Sequence, residues 1–208
     1  MQANKQQAPT LAEEMALLGQ GYSFVAGLDE AGRGCLAGPV VAAAVILKLD
    51  DIELPTRLTG VRDSKQVSAR ARERLHAVIL QHALAVGVGI GSVELIDRRN
   101  ILQATKYAMR SALDQLSIPP QALLLDALLL HDITLPQRSL IKGDTRCLSI
   151  AAASIIAKVF RDRLMIDLDQ RYPEYGFVRH MGYGTVAHRE AIRRFGPTPV
   201  HRRSFRLL

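Results

Sequence analysis

Apolar runs separated by glycine-rich or polar turns mark the first half of the chain, and they predict β-strands. The first two runs are joined through a tight glycine-rich turn at residues 31–34, which is typical of neighbouring strands. In the third run, apolar residues alternate with small ones, which predicts a third strand. Two shorter apolar runs lie further along the chain. The five predicted strands cover residues 24–28, 40–47, 86–90, 123–125 and 139–142.

Helical periodicity and capping signals predict helices before, between and after these strands. Thr10 and Glu13 form a capping box, which predicts a short helix that stops at Gly19. Residues 50–67 are polar and predict a loop, and residues 1–8 are expected to be disordered. The predicted helices cover residues 10–19, 68–82, 93–116, 146–170 and 185–195.

The order of these elements predicts an α/β protein. Early strands on short links, followed by strands that alternate with helices, favour a mixed central sheet flanked by helices. Residues 148–157, in the longest helix, are apolar or small on nearly all sides, so we expect them to be buried. The charged second half of that helix, residues 161–171, is expected to emerge into solvent. Residues 173–208 predict a small helical C-terminal extension.

Composition narrows the class further. The 208 residues suit one domain, and 48% hydrophobic residues with no tryptophan predict an aliphatic core. The longest apolar stretch is too short to span a bilayer, and the polar first twenty residues predict no signal peptide. Cys35 and Cys147 lie far apart and match no disulfide framework or metal spacing. We therefore expect a cytoplasmic, reduced protein.

Positive charge is concentrated at the C-terminus. The net charge is +7, and residues 179–208 hold seven arginines against Glu190 alone, which gives +6 there and leaves +1 for the rest. A basic segment on a nearly neutral body suits polyanion binding, since each phosphate contact releases counterions. Solubility alone is an equally good reason for such a tail.

Acidic residues stand where predicted strands end. Asp29 and Glu30 precede the glycine turn, and successive strand residues point to opposite faces, so the two share a site only if the strand ends or twists there. The glycines that follow expose backbone N–H groups beside Arg33, a cradle for a phosphate or a ribose hydroxyl. Taken alone, such a pair is more often part of an ordinary turn.

Three further acids have structural alternatives as well. Asp126 lies among leucines, where a carboxylate is costly unless a cation or a donor meets it, but it also suits a turn cap. Asp144, before the buried helix, by itself favours a helix N-cap, and so does Asp63 before Ser64 and Lys65.

Together these acids predict a metal site. Carboxylates from strands distant in sequence are what a two-metal phosphodiesterase needs, with one ion activating water and the other stabilising the departing oxygen, about 4 Å apart. No cysteine or histidine spacing suits zinc, so Mg²⁺ or Mn²⁺ is indicated.

Five segments resemble the signatures of ribonuclease HII. They are GLDEAGRGCLAGPV at 27–40, DSK at 63–65, KGD at 142–144, SIAAASIIAKVFRD at 149–162 and HMGYGTVAHREAIRRFGPTPVHRRSF at 180–205. The resemblance runs in order from about residue 22 to 205. It implies a ribonuclease-H-like catalytic domain at 21–172, after a tail and short helix at 1–20. A basic helical segment at 173–208 would contribute to substrate binding.

The resemblance also implies roles for individual residues. The metal-binding, catalytic carboxylates would be Asp29, Glu30, Asp126 and Asp144. Gly32, Arg33 and Gly34 would sense the ribose 2′-hydroxyl, and Tyr183 would pack against the sugar at a junction of ribose and deoxyribose. Ser64, Lys65 and Lys142 would also contact substrate. A site that demands the 2′-hydroxyl rejects DNA, because its own polar groups would be left unpaired.

Three features need separate interpretation. Ala127 follows the third acid where the family often has glycine, which puts the local backbone shape in question. Cys35 is interpreted as a small packing residue, since no base has an evident place beside it. His180, His188 and His201 suit phosphate binding or proton transfer, but such histidines are more often packed or solvated.

The sequence therefore predicts a divalent-metal-dependent endoribonuclease. It would hydrolyse the RNA strand of RNA–DNA hybrids and cut 5′ of single ribonucleotides in DNA, leaving 3′-hydroxyl and 5′-phosphate ends. A non-cutting hybrid-binding module is the alternative, which the full set of repelling carboxylates disfavours. The related HIII type is disfavoured by its different glycine loop and by its larger N-terminal appendage, and type HI lacks the GRG and GYGT segments. We expect a monomer that contacts no membrane; recruitment by a replication clamp is left open.

Overall fold

A mixed five-stranded sheet forms the centre of the protein in a computed structural model that describes residues 8–208. The strand order is β3-β2-β1-β4-β5; β1, β2 and β3 pair antiparallel, while β4 and β5 continue from β1 in parallel. This confirms the predicted α/β fold class. The strands are β1 Val25–Ala31, β2 Val40–Leu47, β3 Ala83–Gly91, β4 Ala122–Asp126 and β5 Gln137–Leu140.

Helices cover both faces of the sheet and build the C-terminal segment. The α-helices are α1 Ala12–Leu18, α2 Leu54–Arg57, α3 Ala69–His82, α4 Val93–Arg99, α5 Ile101–Asp114, α6 Leu148–Arg171, α7 Phe177–His180 and α8 Val186–Phe195. Single 3₁₀ turns lie at Ser64–Gln66, Gly143–Thr145 and Pro173–Tyr175. Residues 1–8 are expected to be disordered, and all of them except Ala8 lie outside the described residues.

Two aliphatic layers sandwich the sheet. On one face the apolar start of α6 packs with α3 against residues such as Val41 and Val45. On the other face α5 packs against Leu28 and Leu125. Backbones approach closely there: a Cβ on Gly89 would collide with the Ala108 carbonyl oxygen of α5. The central strands are therefore buried on both faces, and the sheet is flanked by helices as predicted.

The predicted helix over residues 93–116 is in fact two helices. Asn100 adopts a left-handed backbone (φ 72°), and its side chain accepts a hydrogen bond from the Gln103 N–H at the start of α5. Asparagine tolerates this conformation and caps helices well, so it ends one helix and begins the next. The predicted loop over residues 50–67 likewise contains α2 and a 3₁₀ turn.

The prediction of a capping box at Thr10 and Glu13 is wrong, because the N-cap of α1 is Leu11 and no side chain caps it. The helix itself ends at Gly19 as predicted. The Thr10 backbone instead pairs with the chain before α6, where its carbonyl accepts from the Leu148 N–H at 2.9 Å. The fully buried Glu14 of α1 then accepts a 2.8 Å hydrogen bond from the Ser149 N–H. Glu14, which is distant in sequence, thus accepts a hydrogen bond from a backbone N–H group in the first turn of α6, where such groups have no partner within the helix.

The C-terminal segment has a small core of its own that rests on α6. Tyr175, Phe177 and Ile192 pack with Leu36 and Met165.

A helix long and apolar enough to cross a membrane is not found among residues 8–208.

Candidate functional site

Asp29 and Asp126 lie side by side at the edge where β4 ends. The parallel register pairs Leu28 of β1 with Leu125 of β4, so the next residue of each strand is an aspartate on the same face. Asp29 is buried, with 6% of its surface exposed, and Asp126 is half-buried. The two acids are therefore neighbours because of strand register alone.

Glu30 reaches the same place from the opposite face of β1. The strand does not end at Asp29, since β1 pairs with β2 as far as Ala31. However, β4 stops alongside, and this leaves room for the Glu30 side chain. Its Oε1 accepts a 3.2 Å hydrogen bond from Arg33, whereas its buried Oε2 has no hydrogen-bond partner among the described residues. That oxygen is available to a ligand.

Asp144 joins the group through the turn that follows β5. The Gly143 N–H donates to Asp126 Oδ1 at 2.8 Å, which places the next residue beside the carboxylates. Lys142 takes a left-handed conformation (φ 55°) to make this turn, and Gly143 is buried against Ile150. The N-cap position of α6 belongs to Cys147, so the interpretation of Asp144 as the helix cap is wrong.

Burial and mutual repulsion raise the proton affinity of these carboxyl groups. Burial raises the pKa of Asp29 well above its usual value, and the charges of Glu30, Asp126 and Asp144 raise it further. Burial also raises the pKa of Asp144 to about 6, with Asp63 and Asp126 adding to the shift. The pKa of Glu30 is raised by burial, although Arg33 opposes this. Such a cluster holds protons unless a cation replaces them.

The donor set fits a hard divalent cation. All four groups offer carboxylate oxygens, which Mg²⁺ and Mn²⁺ prefer, and the unpartnered Glu30 oxygen lacks only a cation or donor. Among residues 8–208, no three acidic, histidine or cysteine side chains are already arranged closely enough to form a complete metal-coordination site. A bound ion would therefore complete the coordination geometry. Metal ligation by Asp29, Glu30, Asp126 and Asp144 stays a prediction.

The glycine loop lies beside these acids and is held from below by two buried arginines. Arg202 donates to the carbonyl oxygens of Gly32 at 2.7 Å and Arg33 at 2.8 Å. Gly32 has a positive φ of 94°, and a Cβ there would collide with the Arg161 guanidinium, so only glycine fits. The Arg33 side chain and Gly34 are exposed beside the acids. The loop thus turns carbonyls inward, toward the arginines.

Arg161 was expected in solvent, and that expectation is wrong. Its side chain is fully buried and donates to the carbonyls of Ala37, Pro39 and Met181 at 2.8–3.0 Å. The helical spacing of Arg161 from Ala157 and Met165, four residues on either side, places it on the apolar stripe of α6. That spacing was the available signal. No single-residue signal marked Arg202.

Tyr183 borders the same cleft. Its side chain is 40% exposed, and burial raises the pKa of its phenol, with Cys35 adding to the shift and Arg161 and Lys65 opposing it. The Leu36 N–H donates to the Gly182 carbonyl oxygen at 2.8 Å, which places the Tyr183 turn beside the end of the glycine loop. Cys35 itself is fully buried, as expected of a packing residue.

The DSK and KGD segments contribute unequally. Asp63 caps the 3₁₀ turn by accepting from the Lys65 N–H, which agrees with its interpretation as an N-cap. Asp63 also lies next to Asp144. Lys65 is exposed, and its pKa is lowered by burial but raised overall by Asp63, Asp29 and Asp144. Ser64 is buried, and its N–H donates to Ser154 Oγ. Lys142 is exposed. Substrate contact by these residues stays a prediction.

Comparisons with known proteins show the family to which the chain is similar. A family model described as Ribonuclease HII matches residues 26–208. The ribonuclease HII of Chloroflexus aurantiacus is 55% identical over 197 residues, which cover 95% of this chain and 93% of that protein. That of Halalkalibacterium halodurans is 58% identical over 196 residues, 94% of this chain and 72% of that protein.

Solved structures share the fold. The ribonuclease H2 of Pyrococcus horikoshii superposes with a TM-score of 0.75 at 29% identity, covering 88% of this chain and 94% of that one. The ribonuclease HII of Archaeoglobus fulgidus, solved in complex with PCNA, gives 0.74 at 28% identity, with 88% and 95% coverage. Bst-RNase HIII in complex with Mn²⁺ gives 0.70 at 23% identity, with 99% and 74% coverage, and shows the fold alone.

The fold and these relatives define a metal-dependent hydrolase of the ribonuclease H class. The chain belongs to the ribonuclease HII family, which cleaves the RNA of RNA–DNA hybrids.

Proposed function

We propose that this protein is an endonuclease that cuts the RNA strand of hybrids and also cuts 5′ of single ribonucleotides in duplex DNA. The products carry 3′-hydroxyl and 5′-phosphate ends. The observation that carries this proposal is the group of four carboxylates beside the glycine loop, with the pKa of Asp29 raised by burial and repulsion.

Asp29, Glu30, Asp126 and Asp144 would hold two Mg²⁺ or Mn²⁺ ions. Bound there, divalent ions lower the pKa of an attacking water and neutralise the charge on the departing 3′-oxygen. The chain contributes position: Gly143 fixes Asp126, and the Glu30 N–H fixes Asp29 by donating to Oδ1 at 2.7 Å. One oxygen of each aspartate is thereby oriented, while the other is left for the ion.

The glycine loop would read the ribose. Its carbonyls at Gly32 and Arg33 are occupied by Arg202, so the outer surface of the loop presents its N–H groups and the exposed Arg33 side chain. A 2′-hydroxyl accepts from such donors, whereas a deoxyribose leaves them unpaired and is rejected. Tyr183 would pack against the neighbouring deoxyribose.

The basic segment 173–208 would bind the duplex, in keeping with the local charge of +6 on its residues 179–208. We place the protein in the cytoplasm as a monomer that contacts no membrane. Lys65 and Lys142 are exposed near the acids and would meet phosphates.

A labelled DNA duplex with one ribonucleotide tests the proposal, beside all-DNA and all-RNA duplexes, with Mg²⁺ or with Mn²⁺. We expect one cut, 5′ of the ribonucleotide, which a chelator abolishes, and no cut in the controls. Tight binding without cutting under either ion would instead assign the chain to the hybrid-binding modules.

A further inference from the structure

A buried pair of histidines lies behind Tyr183. His188 of α8 is fully buried and His201 is 1% exposed, and their Nε2 atoms are 3.1 Å apart. Neither residue touches the carboxylates. The metal site and the glycine loop therefore leave the pair without an assigned task, although buried polar side chains are costly unless they are satisfied.

The hydrogen bonds fix which nitrogen of each ring carries the proton. His201 Nδ1 accepts from the Thr198 N–H at 3.0 Å, so its proton is on Nε2. His201 Nε2–H then donates to His188 Nε2. The remaining nitrogen, His188 Nδ1–H, donates to the Tyr183 carbonyl oxygen at 2.8 Å. The bonds form one directed chain from Thr198 through His201 and His188 to the Tyr183 carbonyl oxygen.

The surroundings keep both rings neutral. Burial lowers the pKa of His201 to about 4 and also lowers that of His188, with Arg189 and His180 acting in the same direction on His188. The His180 ring stacks on His188 at 4.4 Å, and its Nε2 lies 3.0 Å from the Tyr175 carbonyl oxygen. Tyr175 and Phe177 enclose His201.

The same segment also holds the glycine loop. Arg202 directly follows His201, and its guanidinium binds the carbonyls of Gly32 and Arg33. The Arg202 N–H donates to Leu36 O at 2.8 Å, and the Gly38 N–H donates to Val200 O at 2.8 Å. Residues 198–202 are therefore bonded on one side to the ribose-reading loop and on the other, through His188, to Tyr183.

We propose that His188 is a positioning residue that holds Tyr183 at a fixed distance from the glycine loop, and so determines the preference for ribose followed by deoxyribose. The inference rests on the proposed function, because it deepens the junction reading assigned to Tyr183. His188 acts through a carbonyl oxygen and does not touch substrate.

Two replacements of His188 separate this role from packing. An asparagine amide occupies the place of Nδ1 and retains the donor to Tyr183 O, whereas a glutamine amide reaches the place of Nε2 and loses it. The readout is the ratio of kcat/KM for a single-ribonucleotide duplex to kcat/KM for internal cutting of an RNA–DNA hybrid. We expect His188→Gln to lower this ratio about tenfold and His188→Asn to lower it less than about threefold.

At His201 the order should invert. His201→Gln retains a donor toward His188, whereas His201→Asn retains only the acceptor for the Thr198 N–H. We therefore expect His201→Asn to lower the ratio more than His201→Gln. This second pair tests the proposal even if one His188 variant fails to fold, which circular dichroism reports.

A double-mutant cycle completes the test. If His188 acts through Tyr183, His188→Gln adds no further loss of preference to Tyr183→Ala. Equal effects of asparagine and glutamine at both positions, or additive losses in the cycle, would overturn the positioning role. A wild-type protein that does not cut the single-ribonucleotide duplex would overturn the proposed function itself, and the inference with it.

Discussion

The Gly143 N–H donates to the Asp126 carboxylate at 2.8 Å, and this bond ties the end of β4 to the turn that carries Asp144. The parallel pairing of Asp126 with Leu140 brings that turn into reach. Two acids that are eighteen residues apart in sequence are thereby held at one edge of the sheet. The backbone positions one predicted ligand by hydrogen bonding to the other.

Asp126→Asn tests the metal site with little change of shape. The asparagine oxygen still accepts from Gly143, but the ionic ligand is gone, so we expect turnover to fall at least about a hundredfold. Binding of a single-ribonucleotide duplex, measured by fluorescence anisotropy in Ca²⁺, should change little. Turnover equal to that of the wild type would remove Asp126 from the metal site.

Arg202→Lys tests the support beneath the glycine loop. Lysine offers a point charge in place of a planar guanidinium, so at least one of the carbonyls of Gly32, Arg33 and Gly38 is left unpaired. We expect the free energy of unfolding to fall by about 2 kcal/mol. Discrimination between ribose and deoxyribose should weaken as well.

The matched control is Arg203→Lys, at the exposed neighbouring position. Denaturant titration and the cleavage of duplexes with and without a ribonucleotide measure both effects. If the two lysine variants behave alike, Arg202 does not support the loop.

Metal affinity should rise with pH. Burial raises the pKa of Asp144 to about 6 and that of Asp29 well above its usual value, so these groups hold protons at a pH where ordinary carboxylates do not. A cation must displace those protons, and the protonated fraction falls as pH rises. We expect the Mn²⁺ affinity to increase between about pH 5 and about pH 8 by calorimetric titration. A flat profile would contradict the raised pKa values.

Asp29→Asn should stabilise the metal-free protein. The folded-state pKa of Asp29 lies above its unfolded value, so the folded protein binds this proton more tightly than the unfolded chain does. The resulting stabilisation is present at low pH and is lost as pH rises through the folded-state pKa. The asparagine oxygen still accepts from the Glu30 N–H, so we expect a gain of about 1 kcal/mol near neutral pH. Added Mn²⁺ should raise the melting temperature of the wild type more than that of the variant.

Asp167→Asn is the control, since Asp167 is exposed on α6. It should leave the thermal stability unchanged, with and without Mn²⁺. A loss of stability in Asp29→Asn would contradict the raised pKa of Asp29, because it would show that the ionised carboxylate does not destabilise the metal-free fold.

Periodicity and apolar runs predicted the sheet, because Val40–Leu47 and its neighbours are buried by hydrophobicity alone. The acids were visible because they stand where the predicted apolar runs stop, although β1 itself continues to Ala31. Contacts between distant segments left no such pattern. The cap of α6 comes from Glu14 on another helix, and the burial of Arg161 depends on carbonyls of the 37–39 segment and of Met181. The partner of His188 follows from the path of the chain after α8.

Ala127 carries the last prediction. It adopts a left-handed conformation (φ 49°) directly after Asp126, and its N–H donates to Leu140 O at 3.1 Å, so the turn cannot relax without losing that bond. A Cβ in this conformation costs about 1–2 kcal/mol. Glycine avoids that cost but gives the unfolded chain more freedom, so we expect Ala127→Gly to raise the free energy of unfolding by about 1 kcal/mol.

Ala77→Gly provides a control of opposite sign. Ala77 is an exposed residue inside α3, where glycine should lower the free energy of unfolding by about 1 kcal/mol. Urea titration at constant m-value measures both variants. If both destabilise alike, the backbone after Asp126 is not left-handed in solution, and the resemblance to relatives with glycine there does not extend to the shape of this turn. If the signs differ, the chain keeps a strained residue beside a carboxylate that the turn serves to position.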